Sequence, residues 1–498
     1  MDYKNLLTAA TGVTCDSRQV SPGYIFVAIC GHQLDGNAFA AAAVARGAAA
    51  VVSDAPGRLP PLPVPVAAVA DARAALAELA AAFYGHPSRA LALTGVTGTN
   101  GKTTVACMIE HIFRQAGLTT GLIGTLGVRV GQAAIPGSLT TPDAATLQAC
   151  LAAMRDCGVS HAAMEVSAQG LALRRAAAVQ FSCGVLTNIS ADHLDFPGGL
   201  AAYLATKEAF PSLLPDEAPL VVPLDDPRCP AVMAGARGPV VTAALEGEAD
   251  VTARILRLTA ADSRFTVTVR RELPGVAGRT VAPGTFIAGL MPPGRHNVAN
   301  GLLAATAALL HGLAPDVVAQ GLTSFPGVPR RMTVTRLGGL TVVDDTALNP
   351  ASLDAVFMTM AAFPRRLLVV VNAIRGGRGP AINAANAETL ARWWSNEPFR
   401  LVVTAAADCV GPADTVSGQE KSAFLQALDD EGVVYSYQDT LAAATAAAYA
   451  AARPGDLVTL LGAQGMDNGL ALFSRLAAGE AAKRQELPGT AVGGGYLT

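Results

Sequence analysis

A glycine-rich loop between an apolar run and a helical pattern constrains this chain more than any other feature. Residues 93–105 read LTGVTGTNGKTTV, and the apolar residues 91–93 predict a buried strand that leads into the loop. The apolar spacing after the loop, at Met108, Ile109 and Ile112, predicts a helix. In this context the loop turns its backbone N–H groups toward phosphate oxygens, at the positive end of the helix. The pattern therefore predicts a nucleotide-phosphate site.

The lysine and threonines at the start of the helix sharpen this prediction. Lys102 is placed to reach the β- and γ-phosphates, and the hydroxyl of Thr103 to bind Mg²⁺. The strict motif has glycine where this chain has Val96, but an ordinary glycine-rich turn would leave the Lys-Thr-Thr sequence unexplained. We therefore expect ATP to bind here. The loop residues expected to hold it are Gly98, Thr99, Asn100, Gly101, Lys102, Thr103 and Thr104.

Composition and charge exclude several classes of protein. The 498 residues are enough for two to four domains. A net charge of −3, without a basic block, argues against nucleic acid as a partner. No apolar run is long enough to predict a membrane span, and the first residues lack the pattern of a secretory signal. The eight scattered cysteines are typical of reduced thiols, so we expect a cytoplasmic protein.

Strand-like and helical runs alternate along three segments of the chain. We predict domains at residues 1–87, 88–326 and 327–498. Strands that alternate with helices favour parallel sheets. Alternating apolar and polar residues within 251–281 predict a small antiparallel insert in the second segment. The predicted fold class is α/β, with a central phosphate-loop domain flanked by an α/β N-terminal domain and a Rossmann-like C-terminal domain.

Polar residues follow two of the strand-like runs. Glu165 comes directly after one run, and Asn188, Asp192, His193 and Asp195 follow another. Ligands in open α/β sheets bind beyond the carboxyl ends of the strands. A carboxylate and a histidine near a nucleotide loop are suited to bind a divalent cation. Taken alone, His193 would be interpreted as a capping or core histidine, but beside the phosphate loop a metal ligand is the better interpretation.

Five segments occur in the order found in a known family. They read GVTGTNGKTT, MEVSAQGL, TNISADHLDFPG, YLATK and GRHNVANGLLAA, and they resemble the Mur ligases, the ATP-dependent amide-forming family of peptidoglycan synthesis. Residues 16–18, 22–23 and 31–36 resemble the uridine-nucleotide-binding domain of the MurE type. That type adds the third amino acid to UDP-N-acetylmuramoyl-L-alanyl-D-glutamate. The resemblance covers nearly the whole chain.

The resemblance implies a centre for phosphate and metal. Lys102 and Thr103 would hold the ATP phosphates and one Mg²⁺, while Glu165 and His193 would bind a second Mg²⁺. Lys207, 14 residues after His193, matches a lysine that family members carbamylate with CO₂. A carbamate would offer Mg²⁺ an anionic oxygen where an ammonium would repel it, and partial burial would favour the neutral amine that carbamylation needs. A solvated helix lysine is the alternative interpretation of Lys207.

The resemblance also implies which residues contact the substrates. Arg331 matches the arginine of a Gly-Arg-Met segment that follows the domain linker. The further nucleotide-binding residues are Asn297, Asn300, Arg331 and Asp345. The residues that match positions holding the UDP-sugar peptide are Ser17, His32, Gln33, Thr140, Thr141, Ser167 and Arg175.

The implied reaction has two steps. ATP phosphorylates a carboxylate to an acyl phosphate, and an amine then displaces phosphate to form an amide. Closure of the C-terminal domain would bring Arg331 and the amine site to the central domain. The resemblance thus implies ATP, two Mg²⁺ sites and a CO₂-derived carbamate on Lys207. Its substrates would be a UDP-sugar-peptide-like carboxylate and an amino acid or other amine.

The C-terminal segment departs from the MurE pattern where the amino acid is selected. After residues 401–404 the family's Asn-Pro-Arg is replaced by AAADC at 405–409. The segment that replaces the family's Gly-Lys-Gly-His-Glu still contains an acid, Asp467. Arg378 could pair with the carboxylate of an amino acid. The three alanines offer no polar partner to a cationic side chain. We expect retained catalysis and an altered amine, with diaminopimelate a poor substrate.

Other functions remain open from sequence alone. A related enzyme of a specialised pathway could join a different carboxylate and amine. A nucleotide-binding module without ligase activity would have no need of Lys102, Glu165, His193 and Lys207. An unrelated phosphate-loop ATPase or kinase would leave the DSR and GHQLDG segments without a purpose. The sequence leaves the oligomeric state open, and we favour a monomer.

Overall fold

Most of the chain is described by a computed structural model. The described residues are 3–31, 34–137, 139–190 and 198–486. Three sequence-predicted site residues lie outside them, namely His32, Gln33 and His193. No helix among the described residues is long and apolar enough to cross a membrane. All eight cysteines are free thiols.

The N-terminal residues form a parallel sheet covered by helices. Its strands, in the order in which they pair, are β1 (Gly12–Thr14), β2 (Tyr24–Ala28), β3 (Ala50–Ser53) and β4 (Val66–Ala68). Its helices are α1 (Ala40–Ala45) and α2 (Ala72–Phe83). The carboxylate of Asp71 accepts hydrogen bonds from the N–H groups of Arg73 and Ala74, which explains why α2 begins at Ala72.

The central residues build a second, larger sheet. Its strands are β5 (Ala92–Thr97), β6 (Thr120–Gly124), β7 (Gly127–Val130), β8 (Ala133–Ile135), β9 (His161–Glu165), β10 (Cys183–Leu186), β11 (Leu220–Pro223), β12 (Val240–Ala244), β13 (Val251–Leu258), β14 (Ser263–Val269) and β17 (Gly284–Leu290). Strands β15 (Leu273–Pro274) and β16 (Thr280–Val281) form a separate hairpin between β14 and β17. The helices are α3 (Lys102–Gln115), α4 (Ala144–Asp156), α5 (Ala168–Ala172), α6 (Gly199–Glu208), α7 (Cys229–Met233), α8 (Arg295–Leu310) and α9 (Pro315–Thr323).

Strand β5 lies in the middle of this sheet. The strand order is β17-β14-β13-β12-β11-β10-β5-β9-β6-β7-β8, and β5 is parallel to both β10 and β9. The carboxyl ends of these three strands therefore meet at one edge, where such sheets bind ligands. The predicted antiparallel pairing within 251–281 is confirmed, since β13 pairs with β14, and β15 pairs with β16 in a hairpin of its own. Because β13 also pairs in parallel with β12, the antiparallel strands extend the main sheet.

Helices α3 and α8 fix the phosphate loop from one face of the sheet. Val105, Ile109 and Ile112 of α3 share an apolar core with Leu302 and Leu309 of α8. All five side chains are buried. Because α3 begins directly after the glycine-rich loop, this packing sets the position of the loop.

The C-terminal residues form a third sheet. Its strands are β18 (Thr333–Leu337), β19 (Leu340–Asp345), β20 (Leu368–Ala373), β21 (Arg400–Thr404), β22 (Tyr435–Gln438) and β23 (Leu457–Leu461). Its helices are α10 (Pro350–Met360), α11 (Pro380–Asn396), α12 (Gly418–Asp430), α13 (Leu441–Ala451) and α14 (Gly469–Glu486). The order is β18-β19-β23-β20-β21-β22, and only β18 is antiparallel to its neighbour. The α/β fold with a central parallel sheet is confirmed, and the exact domain boundaries stay a prediction.

Candidate active site

The glycine-rich loop joins β5 to α3 as the sequence predicts. β5 ends at Thr97, α3 begins at Lys102, and no side chain caps the helix N-terminus. Gly98 and Gly101 have φ values of 138° and 84°. The first N–H groups of α3 lack intrahelical partners, so this end of the helix suits an anion.

The residues after β10 hold the loop in shape. Thr187 donates from its hydroxyl to the carbonyl of Asn100 at 2.6 Å. Asn188 accepts from the N–H of Asn100 at 3.0 Å and donates to its carbonyl at 2.9 Å. The N–H of Thr99 donates to the backbone carbonyl of Asn188 at 2.9 Å. The loop is therefore preorganised by its neighbours.

Gly98 sits where a side chain would not fit. Its φ of 138° is one that L residues rarely adopt, and an added Cβ would overlap the hydroxyl of Thr187. We expect Gly98→Ala to lower the free energy of unfolding by about 1–3 kcal/mol and to abolish tight ATP binding. Thermal unfolding and nucleotide titration measure the two effects.

A matched glycine serves as the control for that variant. Gly418 begins α12, is exposed, and a Cβ built on it meets no atom within 4 Å. Gly418→Ala should leave both stability and nucleotide affinity unchanged. Equal nucleotide affinity for Gly98→Ala and the wild type would contradict the role given to the loop.

Lys102 is half-buried at the start of α3. Its Nζ donates to the carbonyl oxygens of Gly98 and Thr99, at 3.0 and 2.9 Å. The ammonium therefore lies over the loop whose N–H groups would receive phosphate. This position fits the predicted contact with the terminal phosphates of ATP.

Glu165 is a buried carboxylate beside the loop. It ends β9 with 2% exposure, and its Oε2 accepts from the hydroxyl of Thr103 at 2.8 Å. The carboxylate also accepts from Thr125, from the N–H at 2.7 Å and from the hydroxyl at 3.2 Å. One carboxylate with two hydroxyls is an oxygen donor set of the kind that Mg²⁺ prefers. The donors fit the predicted metal, while His193 lies outside the described residues.

Lys207 is a buried lysine in contact with the phosphate loop. It lies near the end of α6 with 1% exposure, and its Nζ donates to the carbonyl of Gly98 at 2.6 Å. The ring of Tyr203 lies 4.8 Å from this nitrogen, and the Tyr203 hydroxyl donates to Thr99 at 3.2 Å. The interpretation of Lys207 as a solvated helix lysine is therefore wrong.

A cavity of about 830 Å³ opens between the central and C-terminal sheets. The loop and Glu165 form one wall, and the end of β19 and the residues that follow β23 contribute to the other. Lys207 is not among the lining residues. The sequence-predicted residues that line the cavity are Thr99, Asn100, Gly101, Lys102, Thr103, Thr104, Thr140, Glu165, Asn297, Asn300, Arg331, Asp345 and Asp467.

Two asparagines of α8 face the loop as predicted for a nucleotide site. Both are buried, and Asn300 lies so close to Gly101 that a Cβ there would be 2.5 Å from its Oδ1. Asn297 donates to the carbonyl of Pro293 at 2.8 Å. His296 precedes them, and burial lowers the pKa of its imidazole to about 4, so it is neutral near pH 7.

An asparagine pair links the phosphate loop to the C-terminal sheet. Asn100 and Asn349 exchange side-chain hydrogen bonds at 3.3 and 3.0 Å. Asn349 also caps α10, through its Oδ1 and the N–H of Ser352. Asn349 was not among the site residues predicted from the sequence. Its only signal was the Asn-Pro pair at the start of α10.

Asp345 ends β19 and lines the cavity beside the linker. Burial raises the pKa of its carboxyl to about 6, and Arg331 opposes that shift. The carboxylate accepts from the N–H of Met332 at 2.7 Å. The neighbouring carboxyl of Asp344 also has its pKa raised to about 6 by burial, against the charge of Arg330.

Most residues predicted to hold the carboxylate substrate gather next to Glu165. Thr141 is buried and donates to the backbone carbonyl of Glu165 at 3.0 Å, and its hydroxyl accepts from the N–H of Ser167 at 3.0 Å. Arg175 donates to the carbonyl of Thr141 at 2.8 Å, and burial lowers the pKa of its guanidinium. The Thr140 hydroxyl lies 3.1 Å from that of Thr125. Ser17 begins a short 3₁₀ helix after β1 in the N-terminal sheet.

The predicted amine residues lie in different places. Asp467 lines the cavity, where it forms an ion pair with Arg330. Arg378 is not among the lining residues, and its guanidinium donates to the carbonyl of Gly377 at 2.8 Å and lies 3.7 Å from Asp414. Arg375, three residues earlier, does line the cavity. Sequence analysis missed Arg330, Arg375 and Thr125, and no motif marked them.

Three family descriptions match consecutive parts of the chain. Residues 9–84 match "Mur ligase family, catalytic domain". Residues 96–308 match "Mur ligase middle domain", and residues 330–464 match "Mur ligase, glutamate ligase domain".

Curated relatives and solved structures resemble the whole chain. The UDP-N-acetylmuramoyl-L-alanyl-D-glutamate–2,6-diaminopimelate ligase of Streptomyces coelicolor is 36% identical over 468 residues, 91% of this chain and 87% of that protein. The UDP-N-acetylmuramyl-tripeptide synthetase of Deinococcus radiodurans is 37% identical over 77% of each chain. A MurF structure from Acinetobacter baumannii has a TM-score of 0.67 at 21% identity, covering 94% of this chain and 93% of that one, which supports the fold.

These similarities agree with the geometry of the loop, Glu165 and the cavity. The predictions of the fold class and of the family are both confirmed. The chain belongs to the Mur ligase family of ATP-dependent, amide-forming ligases.

Proposed function

We propose that this ligase joins an amino acid other than diaminopimelate to a UDP-N-acetylmuramoyl-dipeptide or a similar carboxylate. The observation that carries the proposal is one cavity lined by a phosphate loop, a buried glutamate and a C-terminal wall with arginines. The relative from Streptomyces coelicolor is named for UDP-N-acetylmuramoyl-L-alanyl-D-glutamate and diaminopimelate, and its similarity extends over 91% of this chain. A cytoplasmic location also stays a prediction.

In the first step the chain positions ATP against the carboxylate. The N–H groups of residues 98–104 and the ammonium of Lys102 hold the phosphates and offset their charge. Thr103 would supply an oxygen ligand for one Mg²⁺, and Glu165 and His193 are proposed as ligands of a second. When bound, Mg²⁺ stabilises the negative charge on the transferring phosphoryl group.

In the second step the amine attacks the acyl carbon and phosphate leaves. The amine nitrogen forms the new C–N bond, the bond from carbon to the phosphate oxygen breaks, and the nitrogen loses a proton. An acyl phosphate is easily lost to hydrolysis, so the cavity must exclude water. The hydrogen bonds between Asn100 and Asn349 hold the C-terminal wall against the loop and serve this closure.

Lys207 is proposed to be carbamylated. Its neutral amine would add to the carbon of CO₂ and release a proton. The burial of this nitrogen, at 1% exposure of the residue, favours the neutral form that reacts. The resulting anion would act in the Mg²⁺ centre near Gly98.

The carboxylate substrate is proposed to lie along the end of β9. Thr140, Thr141, Ser167 and Arg175 form a polar cluster there, adjacent to Glu165. The uridine end would extend toward Ser17 in the N-terminal sheet. His32 and Gln33 would complete this contact.

The amine is proposed to be anchored through its carboxylate by Arg375. Arg375 lines the cavity and also donates to the carbonyl of Leu348 at 3.2 Å. None of residues 405–409, which replace the family's Asn-Pro-Arg, lines the cavity, and buried Ala406 packs against Gly465, where an added Cβ would be 3.2 Å from its Cβ. The proposal of an amine less polar than diaminopimelate therefore rests on the loss of that Asn-Pro-Arg segment from the sequence.

Two arginine variants distinguish the proposed anchor from the alternative at Arg378. We expect Arg375→Ala to raise the KM for the amine roughly 10- to 100-fold, because a charge-assisted hydrogen bond to the carboxylate is lost. Arg378→Ala, three residues along the same turn, should change it little. Steady-state kinetics at saturating ATP measure both. The reverse outcome would return the role to Arg378.

A phosphate-release assay tests the proposed function itself. The purified protein is given ATP, UDP-N-acetylmuramoyl-L-alanyl-D-glutamate and a panel of amino acids that includes meso-diaminopimelate. Phosphate release that requires both the carboxylate and an amine is the expected result. Release with ATP alone would indicate an ATPase, and ATP binding without release would indicate a nucleotide-binding module. Selective use of meso-diaminopimelate would contradict the altered amine.

A further inference from the structure

Arg330 adopts a backbone conformation that is unusual for an arginine. It lies in the linker between the central and C-terminal sheets, and its φ is 59°. The left-handed region favours glycine and is strained for other residues. Since Arg331 matches the arginine of the family's Gly-Arg-Met segment, Arg330 stands at the position of that glycine. A side chain that persists there needs compensating contacts.

The guanidinium of Arg330 makes those contacts in the wall of the cavity. It donates to the carbonyl oxygens of Gly462 and Ala463, the latter at 3.1 Å. It forms one ion pair with Asp467 and a second, at 3.3 Å, with Asp344. The Arg330 side chain is 15% exposed and that of Asp467 is 59% exposed, so the acid faces the cavity with a cation beside it.

This ion pair changes what Asp467 can recognise. A free carboxylate in the amine site would attract an ammonium at the end of a substrate side chain. Here the guanidinium of Arg330, which also pairs with Asp344, already holds that carboxylate, and a second cation brought to it would lie close to Arg330 and be repelled.

We propose that Arg330 is a specificity-determining residue, which occupies the carboxylate of Asp467 in an ion pair and so excludes amines whose side chain ends in a cation. The inference rests on the proposed function and names its amine class: amino acids without a second ammonium group. Arg330 also fixes the segment 462–467 that forms this part of the wall. Discrimination by charge is what separates this role from a purely structural one.

A pair of ligands of equal size tests the inference. L-Ornithine and L-norleucine have side chains of the same length, one ending in an ammonium and the other in a methyl group. Calorimetry on the full-length protein gives the Kd of each without need of turnover. We expect Arg330→Gly, which suits the backbone conformation, to shift the Kd ratio toward ornithine about tenfold. Arg330→Gly combined with Asp467→Asn should lose this shift.

Two further variants distinguish an effect of charge from a general loss of structure. Arg330→Lys keeps the charge and should retain a ratio near that of the wild type. Asp467→Asn alone removes the carboxylate that could attract an ammonium while Arg330 stays paired with Asp344, and it should shift the ratio further toward norleucine. Thermal unfolding establishes that each variant is folded. If Arg330→Gly does not fold, the Asp467→Asn result decides the question.

Several outcomes would overturn the inference. They are an unchanged ratio in Arg330→Gly, a shift that persists when Asp467 is also replaced, and the binding of neither amine to any variant. A different result would contradict the proposed function without contradicting the role of Arg330. A protein that shows the expected shift in Kd but releases no phosphate with any amine would contradict the ligase and leave the role of Arg330 intact.

Discussion

Lys102→Ala is expected to lower ATP turnover by roughly 10²–10³-fold, the effect of removing one preorganised donor from a charged transition state. Its Nζ lies 3.0 and 2.9 Å from the carbonyl oxygens of Gly98 and Thr99, directly over the loop. Backbone groups shape the rest of this cradle, so the loss concerns charge stabilisation rather than the shape of the site. Phosphate release at saturating substrates measures the loss.

The fold should survive that substitution. The loop is held by Thr187 and Asn188 through contacts that do not involve the lysine side chain. Lys421→Ala removes another lysine, one that contacts Tyr437 and Asp439 in the C-terminal sheet, and should leave turnover unchanged. Melting temperatures of the two variants equal to that of the wild type would show that both are folded. Substantial phosphate release by folded Lys102→Ala would rule out the phosphate-loop mechanism.

The elements that carry local signals were predictable from sequence. The apolar run of β5, the glycines and the start of α3 are consecutive in the chain, so the strand, loop and helix follow from spacing alone. Glu165 is the last residue of β9 and Asn188 follows β10, and the rule that ligands bind at the carboxyl ends of parallel strands places both near the loop. The sequence alone was enough to predict their convergence.

Contacts between distant segments were not predictable in this way. Asn349 reaches Asn100 across 249 positions, and Arg330 reaches Asp467 across 137. Their side chains meet only because two sheets face each other across one cavity. The turn that carries Arg375 and Arg378 contains three glycines, and spacing does not determine which arginine such a turn directs into the cavity.

The burial of Lys207 is the clearest case in which tertiary packing overrides a local expectation. A lysine near the end of a helix is usually solvated, because taking an ammonium out of water is costly. Here α6 places it at 1% exposure with Nζ on the carbonyl of Gly98. The proposed carbamylation would give this buried nitrogen a role beside the phosphate loop.

Lys207→Ala is therefore expected to lower ligase activity about 10²-fold, because a group that organises the metal centre is lost. Small carboxylates such as formate or acetate should restore part of the activity by occupying the vacated space as an anionic ligand. The wild type provides a second test: its activity should fall in CO₂-depleted buffer at high dilution and return with bicarbonate, while Lys207→Ala should lose no further activity when CO₂ is removed. Lys421→Ala, with its lysine outside the site, is the control and should respond as the wild type does. Near-normal activity of Lys207→Ala in CO₂-depleted buffer would show that the carbamate hypothesis is wrong, because the reaction would then proceed without a carbamate at residue 207.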